Sequence, residues 1–177
     1  MSRPTIYALA VELTGRCNQK CSYCYNEWRE DDGKSLSQLS TEELLTILER
    51  CISEVDIDHF TLTGGEPLSN SSFFQVAEFL RDRGKDFQVI SNGGMITEER
   101  AQALAKLRPL SVQVTLNGDS AEVHEAHVGK GHYERTLRGI ERLTRHGVPI
   151  NGCLVVTRKN AHLVGAIMAK FESLQVS

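Results

Sequence analysis

The stretch His59-Phe60-Thr61-Leu62-Thr63-Gly64-Gly65-Glu66-Pro67 decides the fold. Its first five residues read as a strand, and two glycines then end it. Glycine lets backbone come close to a ligand. Ser72–Arg83 follows as a helix, with Phe73, Val76, Ala77 and Leu80 on one face and Gly84 at its C′ position. Strand, glycine turn and helix together make one βα unit.

The same rhythm runs in both directions from this unit. Tyr7–Leu13 reads as a first strand. The helix after it starts at an N-cap Ser40, with Glu43 completing a capping box, and carries Leu44, Leu45, Ile47, Leu48 and Ile52 at the helical period. Downstream, Phe87–Ser91 is strand three and Glu98–Leu107, capped by Thr97, is the next helix. Pro109 separates it from strand four, Ser111–Leu116. Tyr133–His146 is helical, with Leu137, Ile140 and Leu143 inward and Gly147 as its stop. Ile150–Thr157 is strand five, and a last helix runs from about Ala161 to Phe171. The expectation is about five βα units forming a parallel sheet covered by helices. The sheet is either an open doubly wound layer or all or part of a (βα) barrel. Both architectures place ligands at the C-terminal ends of the strands.

The unusual residues cluster at those ends. They are Thr14-Gly15-Arg16-Cys17 after strand one, Gly64-Gly65-Glu66-Pro67 after strand two and Ser91-Asn92-Gly93-Gly94 after strand three. Asn117-Gly118-Asp119-Ser120 and a long His-rich loop follow strand four, and Thr157-Arg158-Lys159-Asn160 closes strand five.

The 177 residues suit one domain, with no internal boundary, so residues 1–177 are read as a single unit. The net charge of −3 argues against a general nucleic-acid or membrane-surface binder. No apolar run reaches the ~18 residues of a membrane helix, and Glu12 interrupts the apolar stretch Ile6 to Val11, so no signal peptide is read. The segment Glu30–Ser40 reads as a solvated loop.

Five cysteines are present, three of them at Cys17, Cys21 and Cys24. An odd count with this crowding is no disulfide framework; it points to a metal site in a reducing compartment. The spacing Cys-x3-Cys-x2-Cys suits zinc or an iron–sulfur cluster. Structural zinc takes four protein ligands, and no fourth Cys or His lies near. Three thiolates suit a [4Fe–4S] cluster with one iron open to an exogenous ligand. Cys51 and Cys153 read as small buried hydrophobes.

The string Cys17-Asn-Gln-Lys-Cys21-Ser-Tyr23-Cys24-Tyr25-Asn26 resembles the cluster loop of the radical S-adenosylmethionine (radical SAM) superfamily, with Tyr23 at its aromatic position. Gly64-Gly65-Glu66-Pro67 matches the second signature of that family in place and order. The resemblance covers the whole chain and is greatest to the branch of peptide- and cofactor-maturation enzymes. It implies a partial (βα) barrel in which Cys17, Cys21 and Cys24 hold three irons and S-adenosylmethionine (SAM) chelates the fourth. Tyr23 would lie along the adenine, mainly through backbone. The Gly64–Glu66 backbone, including Gly65, would receive the methionine amino group. Ser91 and Asn92, with Thr115 and Asn117, would face the ribose or carboxylate, and Val155 and Val156 would pack near the adenine. Relatives carry Ser-Leu-Asp-Gly where this chain has Thr115-Leu116-Asn117-Gly118, a neutral amide in place of a carboxylate.

The implied reaction is reductive cleavage of SAM to methionine and a 5′-deoxyadenosyl radical, which removes hydrogen from a substrate, a peptide by analogy. It implies a ferredoxin or flavodoxin-type electron donor and a cytoplasmic, oxygen-sensitive protein. The superfamily core usually has six βα units, and its relatives here usually carry a C-terminal extension with further clusters. With five units read and no such extension, the expectation is a truncated fragment or one piece of a larger assembly, whose fifth strand is an exposed edge. The alternatives are a non-catalytic iron–sulfur or electron-transfer module, a zinc-stabilised domain and an inactive fragment. Several features also have plain structural readings. Gly64-Gly65 and Ser91–Gly94 serve as turns, Glu66 suits a helix N-terminus, and His124 and His127 are solvated loop residues with no role assigned. Tyr25 and Trp28 either shield the cluster or simply pack.

Overall fold

The alternation of β2 (Asp56–Thr63) sets up two faces. Phe60 and Leu62 point to one side and are fully buried. Thr61 and Thr63 point to the other. β3 (Asp86–Ser91) repeats the pattern, with Phe87 and Val89 on the apolar side and Gln88 on the polar side. The strands pair in parallel with Phe60 opposite Phe87 and Leu62 opposite Val89, so like side chains line up. Gln88 Nε2 donates to Thr61 Oγ1 across that pairing at 2.9 Å.

The computed structural model describes residues 3–26 and 38–176. β1 (Thr5–Glu12), α1 (Thr41–Glu54), β2, α2 (Phe73–Asp82), β3, α3 (Glu98–Leu107) and β4 (Val112–Thr115) follow in order. α4 (Ala121–Val128), α5 (Tyr133–Arg145), β5 (Ile150–Cys153) and α6 (Val164–Ser173) complete the chain. Trp28 and residues 30–37 of the expected loop lie outside the described residues.

All strand pairs are parallel, and the sheet order is β1-β2-β3-β4-β5. A doubly wound sheet reverses its strand order, whereas a barrel winds in one direction. The unbroken order makes this a partial (βα) barrel. α1 packs on α2, α2 on α3 and α3 on α5. Their inward residues, among them Val76, Ala77, Leu80, Ala101, Leu104, Ile140 and Leu143, cover the apolar face of the sheet and are fully buried. β1 and β5 are the edges among the described residues.

Local signals act where the sequence places them. Ser40 caps α1 in a reciprocal box with Glu43, Thr97 caps α3, and Gly84 and Gly147 take the left-handed backbone after α2 and α5. Three expectations need correction. The His-rich loop after strand four holds α4, whose histidines are buried. Strand five ends at Cys153 rather than Thr157, because Val155 turns its N–H to the Asn117 side chain (3.0 Å) and leaves the ladder. Cys51 and Cys153 are half-buried, not buried.

Phe60 lies at the centre of the covered face. Phe60→Ala is expected to lower unfolding stability by about 3–5 kcal/mol, read from urea denaturation at constant slope.

Candidate cofactor site

The C-terminal ends of β1 to β4 converge on a cavity of about 180 Å³. Cys17, Cys21, Cys24 and Tyr23 line it from the loop after β1, Gly64 and Gly65 from the turn after β2, Ser91 and Asn92 from β3, and Thr115 from β4. Tyr25 also lines it, and its hydroxyl donates to Glu12 at 3.1 Å. Asn117 and Glu66 stand behind this lining, fully buried. Val155 and Val156 are not among the lining residues, and Val156 is exposed. A larger cavity of about 690 Å³ lies between α1 and α2, but it holds no thiol and lies away from the strand ends.

The glycine turn is docked backbone to backbone on the cysteine loop. Gly65 N–H donates to the Thr14 carbonyl at 2.6 Å, and Glu66 N–H donates to the Arg16 carbonyl at 2.8 Å. A Cβ on Gly65 would fall 2.3 Å from the Arg16 oxygen, and one on Gly64 (φ +137°) 2.5 Å from the Thr14 oxygen. Both positions therefore need glycine for close approach. Asn70 Nδ2 holds the Leu13 carbonyl (2.6 Å) and Asn26 Nδ2 the Gly15 carbonyl (3.2 Å), fastening the same loop from two more sides.

Glu66 does not point at the cavity. Its carboxylate accepts Leu68 N–H at 3.2 Å, Ser91 Oγ–H at 2.9 Å and Asn92 N–H at 2.8 Å. Burial pushes this carboxyl up, and those three donors pull it down. The Ser91 hydroxyl thus faces Glu66, while also accepting Gly93 N–H. Asn92 turns the other way. Its Nδ2 donates to Asn18 Oδ1 at 2.7 Å and reaches Cys17 Sγ at 3.7 Å.

Asn117 is a second hub. Its Nδ2 donates to the Tyr23 hydroxyl at 2.7 Å, its Oδ1 accepts Val155 N–H, and its own N–H donates to His124 Nδ1 at 3.1 Å. Asn160 Nδ2 donates to its carbonyl at 3.0 Å. Burial, and next the neighbouring Cys21, push the Tyr23 phenol far up, so it stays protonated.

α4 holds the cysteine loop from behind. Lys20 N–H and Ser22 N–H donate to the Val128 and His127 carbonyls at 3.3 and 2.8 Å. His127 is fixed in turn: Nδ1 donates to the Val123 carbonyl at 2.8 Å, and Nε2 pairs with the Thr157 hydroxyl at 2.7 Å. The α4 contribution is hard to see in the sequence, because the segment is short and its buried face carries two histidines beside Val128.

The donor chemistry fits an iron–sulfur cluster. Three sulfurs line one cavity, yet among the described residues no three His, Cys, Asp or Glu side chains come close enough to hold one ion. A zinc ion, with Zn–S of ~2.3 Å, draws its thiolates to within about 4 Å of one another. A cubane takes one thiolate at each of several corners, and three cysteines facing one cavity suit it. Burial pushes the Cys17 thiol up, with Glu66 and Cys24 adding to the effect, while the Gln19 and Asn92 N–H groups oppose it. A bound cation ionises such a thiol. Gln19 Nε2, buried at the same wall, has no hydrogen-bond partner.

Two outcomes follow from this geometry. Gly65→Ala is expected to destabilise the protein by about 1–3 kcal/mol and to lower iron bound after anaerobic reconstitution. Gly165→Ala, where a Cβ meets nothing within 4 Å, should leave iron content unchanged. The second outcome concerns acid. Burial holds His124 down at about 4, against 6.5 for the free side chain. The unfolded chain therefore takes up its proton first as pH falls, and the stability due to neutral His124 is lost between about pH 6.5 and 4. Urea unfolding at pH 7 and pH 5 should differ by roughly 2 kcal/mol more in the parent than in His124→Gln.

The radical SAM superfamily model matches residues 11–168 of this chain. Mycofactocin maturase MftC of Mycolicibacterium smegmatis is 31% identical over 153 residues, covering 86% of this chain and 38% of that protein. AdoMet-dependent heme synthase of Methanosarcina barkeri is 29% identical over 153 residues, covering 86% and 43%. The structure of anSMEcpe with bound AdoMet superposes with a TM-score of 0.80 at 25% identity, over 97% of this chain and 49% of that one. Streptococcus suis SuiB, solved bound to precursor peptide SuiA, shares the fold with a TM-score of 0.82 at 14% identity, over 99% and 38%. The chain spans about two-fifths to one-half of the length of these relatives. From the end of β1 into α6, then, the match is continuous, and the chain belongs to the radical SAM superfamily.

Proposed function

We propose that residues 1–177 form the core of a radical SAM enzyme that modifies a peptide. One observation carries the reading: Cys17, Cys21 and Cys24 line the same cavity as the Gly64-Gly65 turn and the ends of β3 and β4. The three thiolates would hold a [4Fe–4S] cluster with its remaining iron left to SAM. When bound, cluster and SAM together supply a 5′-deoxyadenosyl radical that takes hydrogen from the substrate.

The chain's residues divide into two groups. Tyr23, Gly64, Gly65, Asn92 and Thr115 line the cavity and meet SAM there. The N–H groups of Gly65 and Glu66 are occupied by the cysteine loop, so the turn offers SAM its carbonyl edge, which suits an amino group. Glu66 and Asn117 act from behind, and Ser91, which lines the cavity, turns its hydroxyl to Glu66. Their side chains are committed to other loops and fix the positions of the lining residues. A ferredoxin or flavodoxin-type protein delivers the electron, and an oxygen-sensitive cluster suits a reducing, cytoplasmic setting. Among the described residues no helix is long and apolar enough to cross a membrane.

The peptide substrate is supported by the relatives: MftC is a maturase, and anSMEcpe and SuiB have both been solved with peptides bound. The experiment is anaerobic reconstitution followed by a strong reductant and SAM. Formation of 5′-deoxyadenosine, lost at least ~100-fold in Cys24→Ala, is expected. A reducible cluster that leaves SAM intact would indicate an electron carrier or an inactive fragment instead, and one zinc with no sulfide a structural domain.

A further inference from the structure

Gln19 lies between two of the three clustered cysteines and is only 4% exposed. Its side chain is part of the cavity wall. Oε1 accepts the Cys21 S–H at 3.5 Å, while Nε2 is buried and has no partner. A carboxamide with its donor end orphaned is unusual, because buried N–H groups are nearly always paired.

The surrounding amides sharpen the point. Lys20 and Ser22 send their backbone N–H groups to the carbonyls of α4, away from the sulfurs. Cys17 already has two N–H groups near it, the Gln19 backbone at 3.4 Å and Asn92 Nδ2 at 3.7 Å. Cluster ligation takes thiolates, not thiols. Once Cys21 is a thiolate its sulfur only accepts, and Oε1 beside it is repelled. A half-turn about the last torsion of Gln19, a soft and roughly two-fold rotation, exchanges Oε1 for Nε2. The orphaned N–H then meets the sulfur.

We propose that Gln19 tunes the cluster: its side-chain N–H donates to the Cys21 sulfur of the bound [4Fe–4S] cluster and makes that cluster easier to reduce. The inference rests on the cluster reading given under Proposed function. Its physical basis is charge. Reduction adds an electron to the cluster, and a donor to a cluster sulfur stabilises the reduced form more than the oxidised one.

The test uses the whole chain, reconstituted anaerobically without SAM, as the parent, Gln19→Leu and Gln19→Glu. Iron and sulfide per chain are measured first, then the reduced fraction at poised potentials by electron paramagnetic resonance. At the potential where the parent is half reduced, the reduced-to-oxidised ratio should fall about fivefold in Gln19→Leu, and further in Gln19→Glu, which swaps the donor for a negative charge. In the parent alone, glutamine labelled with ¹⁵N at the side chain should give a weak nitrogen coupling to the reduced cluster in pulsed resonance, which keeps the test decisive even if a variant assembles poorly. Equal ratios at equal iron and sulfide, or no nitrogen coupling in the parent, would overturn the proposal. So would an unchanged ratio with weakened SAM binding, which would assign Nε2 to SAM. A parent that assembles no cluster at all overturns the cluster reading itself, and this inference with it.

Discussion

The contact on which the site depends is the seam between the Gly64-Gly65 turn and the backbone after β1. Two N–H groups cross it, and neither could do so if either glycine carried a side chain. Glu66 extends the seam to a third loop, because its buried carboxylate collects donors from Leu68, Ser91 and Asn92. A buried carboxylate is tolerable only when it is bonded in this way. Losing the end of β3 would leave it with Leu68 N–H alone. The loop that carries the cysteines is therefore held by interlocked backbone.

Asn117 performs the same office on the opposite wall. It joins the tyrosine of the cysteine loop to the end of β5, to α4 and to Asn160. A carboxylate at this position would keep the acceptor for Val155 but lose the N–H that Tyr23 receives. The amide in this chain thus matches a phenol that burial keeps protonated, since a hydroxyl oxygen can accept from one group while its own proton remains free to be donated.

Much of this was legible in the sequence because the relevant signals are local. The Ser40 box, the Thr97 cap and the left-handed Gly84 and Gly147 each act within one turn of helix. The choice between an open sheet and a barrel came from the family resemblance and not from the local pattern, since strand order depends on pairing between segments far apart in the chain. α4 escaped notice because Ala121–Val128 has no continuous apolar stripe; two of its three buried residues, His124 and His127, read as polar, and the third is Val128. In the site, spacing identified the cysteines, and position after a strand identified the turns. The direction of side chains stayed hidden. Ser91 faces Glu66, 25 residues earlier, and Asn117 faces Tyr23, 94 residues earlier. Such orientations are fixed only when the chain has closed on itself.

Eight residues of helix carry an unexpected share of this arrangement. α4 meets Asn117 through His124, meets Thr157 through His127, and receives the cysteine loop on its last carbonyls. It behaves as a crank with three pins. Any ligand that displaces the segment after β5 would shift Thr157 and so rotate the crank, and the loop bearing the thiols would travel with it. Two loops on the same rim, at opposite edges of the sheet, are in this way geared through one short helix.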